Sequence, residues 1–438
     1  MKTNNHPHKQ LFTLIVATLV GLINSTGAQP TFQGLGDLPG GAIESAALGV
    51  SADGKTVVGF SASSNGVEAI FWTNGVMTGL GDLPGGSIDS VARAVSADGS
   101  VIIGQGDSGQ GYKAFRWEGG AMTDLGVLPG YTRSVALGLS RDGSVIVGNV
   151  FGVNAEIQAY RWANGVMTGL GDLPGGFFDS AVEFGPVSAD GSVIVGRSSS
   201  LLSDHYEAFR WQEGSMNGLG YLAGGRRYSD AFAVSADGTI IVGQSSSARS
   251  SQQPDEGEAC RWDNGVISAI GDLAGGAFES IAYAVSDDGQ VIVGRGTTDQ
   301  GATAFIWDPT NGIRNLQQVL TGFCGTDLSG WKLTFAFGIS ADGTTIVGRG
   351  IHNGNTEGWV AKIPREVVLN GETPTLDIQQ SVTLSWPVCH TGYQVQASPS
   401  LAEPDWQFID VPVSVSGNKN VVTVLVTPTQ KYFRLVKP

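Results

Sequence analysis

The sequence predicts an all-β fold: a seven-bladed β-propeller of four-stranded blades closed by its own N-terminal strand, with a small C-terminal β-sandwich. Three observations predict it. The tetrapeptide Ser-Ala-Asp-Gly, or a close variant, occurs seven times, with its glycines at Gly54, Gly99, Gly143, Gly191, Gly238, Gly289 and Gly343, 44 to 54 residues apart. A period near 45 with several strands per copy belongs to propellers rather than solenoids. The composition agrees: 65 glycines, 41% apolar and only 15% charged residues, too apolar for a disordered chain and suited to short strands joined by tight turns. Finally, the repeat is out of phase with the chain. A fourth-strand motif, Gly34–Gly41, precedes any first strand, and the seventh copy stops after its third strand near Ile363. The N-terminal strand, placed at Gln33–Leu38, would complete the last blade, so no edge stays open to aggregation.

The segments divide as 1–28, 29–363, 364–374 and 375–438. Residues 1–28 read as a signal peptide. Lys2 and Lys9 form the positive end, Leu11–Ile23 is apolar but short for a spanning helix, and Thr26-Gly27-Ala28 offers a cleavage site before Gln29. The alternative is a short membrane anchor. Cleavage removes two lysines and no acid, leaving 23 basic against 40 acidic residues, a net charge of −17. Such a surface repels nucleic acid and anionic membrane. It suits a glycan or a cell-surface protein as partner. Export places the protein outside the cell or in the periplasm, with no membrane span after cleavage.

Each copy contains a short apolar first run such as Ala46–Val50, the turn, and a β-branched second run such as Ser-Val-Ile-Val-Gly. In the turn, Asp caps its own loop and Gly supplies φ > 0. A loop of variable length leads to the third run, Ala-Phe-Arg-Trp or a relative. A tight turn such as Asn74-Gly75 or Asn164-Gly165 follows, a strong hairpin signal. The fourth run is Met-Thr-Gly-Leu-Gly-Asp-Leu or a relative, then Pro-Gly-Gly. Trp72, Trp117, Trp162, Trp211, Trp262 and Trp307 recur at one strand position. A packed interface between blades explains them better than glycan stacking.

The Ala-Phe-Arg-Trp strand, the Met-Thr-Gly-Leu-Gly-Asp-Leu strand and the turn before Val-Ile-Val-Gly resemble the extracellular HAF repeat family over Gly34 to Ile363. The name-giving His is replaced by Glu68, Lys113, Gln158, Glu207, Glu258 and Thr303. The resemblance implies a secreted protein of bacterial type and brings no catalytic residues with it. After the linker, Ser381–Trp386, Tyr393–Ser398, Trp406–Val411, Val421–Val426 and Tyr432–Val436 alternate as strands. The Leu-Ser-Trp-Pro start and Tyr-Phe-Arg-Leu end resemble a fibronectin type III-like module, serving as a spacer or as an address for export or surface retention.

Little in the sequence points to catalysis. Past residue 28 the histidines are His205, His352 and His390, which do not form a triad, and no nucleophile elbow, zinc-protease or phosphate-loop motif occurs. The expectation is a non-catalytic binding protein without metal or cofactor. A polysaccharide-cleaving lyase or glycosidase on a propeller scaffold is the alternative. One carboxylate per turn falls far short of the roughly six to eight oxygens calcium requires. Cys260 sits at a core position; Cys324 and Cys389 could pair in an oxidising compartment, though nothing in the sequence requires it.

Binding residues are expected where copies differ on one face, with long connections at Ser245–Glu258 and Gln317–Trp331. One varying position follows Pro-Gly-Gly: Glu44, Asp89, Arg133, Asp179, Tyr228 and Glu279, each followed by an unvarying Ser. The Ser reads as structural and its predecessor as facing the mouth of the central channel. The other follows Val-Gly: Phe60, Gln105, Asn149, Arg197, Gln244, Arg295 and Arg349. The candidate ligand-binding set is Asp179, Arg197, Tyr228, Phe278, Glu279, Arg295 and Arg349, with Tyr228 and Phe278 as stacking surfaces for a sugar. The competing reading gives the arginines to salt bridges between blades.

Overall fold

The computed structural model describes residues 30–250, 256–322 and 326–365 of the repeat region. In the C-terminal segment it describes 377–378, 381–388, 392–400, 405–416, 418–425 and 432–437. The expected signal segment, Cys324, Cys389, His390 and most of the expected linker lie outside these residues. The fold is all-β, with one short helix among the described residues. None of these residues forms a helix long and apolar enough to cross a membrane.

The first repeat shows the plan. Strands β2 (Ser45–Val50), β3 (Thr56–Ser63), β4 (Gly66–Thr73) and β5 (Val76–Gly79) pair in sequence order, all antiparallel. The turn between β2 and β3 is self-contained. Ser51 Oγ donates to Asp53 Oδ1 (2.7 Å) and accepts from the Thr56 N–H (3.0 Å). Asp53 Oδ1 also accepts from the Lys55 N–H, and Gly54 takes φ +70°. The same Ser–Asp bond recurs at Asp98, Asp142, Asp190, Asp237, Asp288 and Asp342. The seven Asp residues are therefore turn caps.

The repeats give five four-stranded sheets and one of eight strands. In the larger sheet, a short parallel ladder, Gly66↔Ile88 and Val67↔Asp89, joins β4 to β6 (Ile88–Val95), the first strand of repeat two. The seventh sheet is completed by β1 (Thr31–Gly34), which runs antiparallel to Asn355–Lys362 with Phe32 opposite Ala361. The expected strand Gln33–Leu38 is thus shifted towards the N-terminus, and every fourth strand is shorter than the sequence suggests. The reason is the second Gly of the motif: Gly36, Gly81, Gly171 and Gly220 have φ of +70° to +79°, so the chain leaves the ladder there. In repeat one, the last ladder bond is Leu80 N–H to Ala69 O, after which Leu83 turns into the core.

Successive sheets share cores. Val58, Ala69 and Leu83 pack with Ala92, Ile102 and Phe115 of the next repeat. Leu35, Leu38, Val347 and Val360 pack with Val57, Ile70 and Trp72, so residues from both ends of the repeat region meet repeat one. Of the six recurring tryptophans, Trp262 and Trp72 are buried, and the other four are half-buried, each against a core of this shared kind. The unvarying Ser is a staple between neighbours. Ser90 Oγ accepts from the Ala69 N–H (2.9 Å) and donates to Gly81 O (2.7 Å). Ser45 does the same with the Gly358 N–H (3.1 Å) and Gly36 O (2.6 Å). Replacing Ser90 with Ala leaves the Ala69 N–H buried without a partner, and urea denaturation should show a loss of about 1–2 kcal/mol. An unchanged midpoint would mean the hydroxyl contributes nothing.

In the connection read as a loop, Leu316–Thr321 forms a helix, capped by Asn315 and anchored by buried Leu316 and Leu320. The C-terminal segment forms two sheets about one core that includes Leu384, Trp386, Val395, Val422 and Phe433.

Candidate functional site

The middle of each first strand faces a common cavity of about 440 Å³, lined by residues of all seven repeats, among them Leu48, Arg93, Leu137, Glu183, Ala233, Ala284 and Phe337. Three residues before the turn serine stands Leu48, Arg93, Leu137, Phe232, Tyr283 or Phe337 in six of the repeats, and Gly185 in repeat four. Phe232, Tyr283 and Phe337 gather around Phe184, with ring centroids 5.1 to 6.3 Å from it, and fill one side.

Repeat four breaks the pattern. Ser180 and Ser188 are eight residues apart where the other five such pairs are six apart. Its first strand is only Ser180–Ala181. The surplus residues carry Glu183 and Phe184 into the cavity. Asn149 fixes this segment, since its side-chain amide both donates to Val182 O and accepts from the Val182 N–H, each at 2.9 Å.

The charges of the cavity meet here. Arg197 Nη1 lies 2.8 Å from Asp230 Oδ2, and its Nη2 lies 3.4 Å from Glu183 Oε1. Its guanidinium stands 4.8 Å over the Tyr206 ring, whose hydroxyl donates to Asp179 Oδ2 (2.9 Å). Burial, with a further contribution from the charge of Asp230, pushes the Glu183 carboxyl up to about 7 against the opposing effect of Arg197 and Arg93. Burial also works against the charge on Arg93, with Glu183 offsetting it.

A second set of contacts between repeats lies at the turns. There the backbone N–H of Ala97 donates to Arg141 O, Arg141 to Ala189 O, Ala189 to Ala236 O, Ala236 to Asp287 O, Asp287 to Ala341 O and Ala341 to Ala52 O. A smaller cavity of about 150 Å³ sits among these residues. Arg141 and Asp287 replace the Ala of the tetrapeptide in repeats three and six, and their side chains form an ion pair between these non-adjacent repeats.

The seven sequence-predicted residues fall into separate groups. Arg197 lines the cavity and Asp179 supports it through Tyr206. Glu279 and Arg295 form an ion pair within their repeat; Arg295 and Arg349 both face Phe335, at 5.7 and 4.5 Å. Phe278 lies under the Arg249 guanidinium at 4.1 Å. One expectation needs correction. Tyr228 is 3% exposed and its hydroxyl bonds Gln244 Nε2 at 2.8 Å, so it offers no stacking face. None of Glu44, Asp89, Arg133, Asp179, Tyr228 and Glu279 lines the cavity itself: each stands just before the unvarying Ser, and the later residues of the first strand face the cavity. The position after Val-Gly does reach it, through Gln105, Asn149 and Arg197. Sequence reading missed Arg93 and Glu183. Their signals were a charge in an otherwise apolar ring position and the two surplus residues of repeat four.

No protein-family model matches the chain, and no curated protein matches it. Among solved structures, an oligogalacturonate lyase from Vibrio parahaemolyticus is similar over 77% of this chain and 98% of its own, at 9% identity and a TM-score of 0.48. The β-propeller domain of Cps50 (Swd1) from Myceliophteria thermophila is similar over 76% and 99%, at 10% identity and a TM-score of 0.46. TolB from Acinetobacter baumannii is similar over 59% of this chain at 12% identity and a TM-score of 0.40, and the chain spans 62% of that protein, less than two thirds of its length. At these scores and identities, none of the three carries an inference about what this chain does.

Proposed function

We propose that the repeats form a seven-bladed propeller closed by the N-terminal strand, and that the protein is an exported, non-catalytic binding protein that holds its ligand in the central channel. One observation carries the reading: a cavity of about 440 Å³ touched by every repeat, into which the irregular repeat four delivers a cluster of charged groups. Closure is supported by the pairing of β1 with the seventh sheet and by the Ala341–Ala52 bond. Membership of the HAF repeat family, and a fibronectin type III-like C-terminal module acting as spacer or surface address, belong to the same proposal.

Calorimetry against neutral and acidic oligosaccharides and small organic acids tests it. The expected result is a saturable ligand that is recovered unchanged. Glu183 favours a second reading, glycan cleavage, because a carboxyl titrating near 7 is suited to a general base. Release of cleaved glycan, lost in Glu183→Gln, would select that reading. Export predicts that material recovered outside the cell begins at Gln29; Met1 found intact on it would refute cleavage.

A further inference from the structure

We propose that Arg93 is the anchor for the carboxylate of a small organic acid bound in the channel, an inference that rests on the channel being the binding site. The equivalent ring positions carry Leu48, Leu137, Phe232, Tyr283 and Phe337, so the packing of the ring asks for an apolar side chain and repeat two supplies a cation. Arg93 lines the cavity. Its Nε is buried with no hydrogen-bond partner, and its side chain makes no hydrogen bond or ion pair among the described residues. The residue as a whole is half-buried, and an N–H sealed from water without a partner is costly.

The surrounding charges do not answer it. Glu183 acts on Arg93 only at longer range, and its Oε1 is directed at Arg197, which also holds Asp230. The planar guanidinium matches a carboxylate with two parallel hydrogen bonds. Leu48, Leu137, Phe184 and Phe337 provide apolar wall for the rest of such a ligand. The space fits within the usual size of small-molecule sites, roughly 300 to 1,000 Å³. The acidic exterior matters as well: a chain of net charge −15 gathers few anions non-specifically, so a bound carboxylate reports a built site.

The test uses the full chain and three matched pairs: benzoate and benzamide, phenylacetate and phenylacetamide, glucuronate and glucose. At least one acid should bind wild type ten-fold or more tightly than its neutral partner. Arg93→Leu, which copies the residue of repeats one and three, should melt at or above the wild-type temperature and lose that preference. Arg93→Lys should retain part of it. A variant that binds the acid as wild type does would overturn the anchor while leaving the channel as a site, as would equal binding of acid and neutral partner. Destabilisation by Arg93→Leu would assign the guanidinium to the fold instead. If no compound of the panel binds, the anchor and the channel site both fall.

Discussion

A chain lacking residues 29–41 should melt at least about 10 °C below the full-length protein, or fail to fold. The deletion removes β1 and with it the four-residue ladder to Asn355–Lys362. It also strips three apolar side chains from the core: Leu35 and Leu38, which are 6% and 9% exposed, and Phe32, which meets Trp331 edge-on at 5.1 Å and Trp359 at 6.2 Å. Ser45 loses Gly36 O as acceptor. Truncating one buried Leu typically costs about 2–5 kcal/mol, and a change of 1 kcal/mol moves the midpoint of a domain this large by roughly 2–4 °C. Should the deletion prevent expression, the double variant Leu35→Ala with Leu38→Ala measures the same interface, with an expected loss of about 5 kcal/mol. A truncated chain with the wild-type melting temperature would end the closed-ring reading.

The second large effect is a pH dependence seated on Glu183. In the unfolded chain its carboxyl titrates near 4.5, and in the folded chain near 7. Between these values the folded protein keeps a proton that the unfolded chain has lost. This group's contribution to stability therefore falls as pH rises from 4.5 to 7 and is constant above. Glu183→Gln, a neutral isostere of the protonated acid, removes the effect. It should be more stable than wild type by about 3 kcal/mol at pH 8 and equally stable at pH 4, measured by urea denaturation. The groups facing Glu183, namely Arg197, Asp230 and Arg93, are the same in both proteins. Turn residues such as Asp98, held down to about 2 chiefly by the Ser100 N–H, act in the opposite sense at more acid pH and cancel in the comparison. Parallel stability curves for the two proteins from pH 4 to 8 would refute the assignment.

The features legible in the sequence were those fixed by local rules. Ser-Ala-Asp-Gly specifies its own turn through bonds among residues no more than five apart, and β-branched runs between glycines specify the buried second strands. The out-of-phase repeat pointed to the pairing of the N-terminal strand. Where the fourth strand ends was harder, because the motif Met-Thr-Gly-Leu-Gly-Asp-Leu keeps its apolar alternation past the point where a left-handed Gly turns the chain. Site residues were the least legible. Tyr228 and Glu183 both vary among the copies. Which of them faces the cavity depends on strand position and on two surplus residues whose bulge direction is set by Asn149 of the preceding repeat. Variability marks candidates, but only the sheet geometry sorts rim from channel.

If the Arg141–Asp287 pair, set among the turn amides, closes that end of the proposed channel, the channel is a blind tube. A polymer cannot pass through such a tube, so no internal stretch of a long glycan can lie along its axis. Only a free monomer or the terminal unit of a chain can reach Arg93 and Glu183, and it must leave by the mouth through which it came. Affinity should then scale with the number of chain ends in a sample rather than with its mass, and capping the ends of a polymer should abolish binding while leaving its backbone untouched. Replacing Arg141 with Ala would turn the blind tube into a through-pore, a difference that the exchange rate of a small ligand would register even if its affinity did not change.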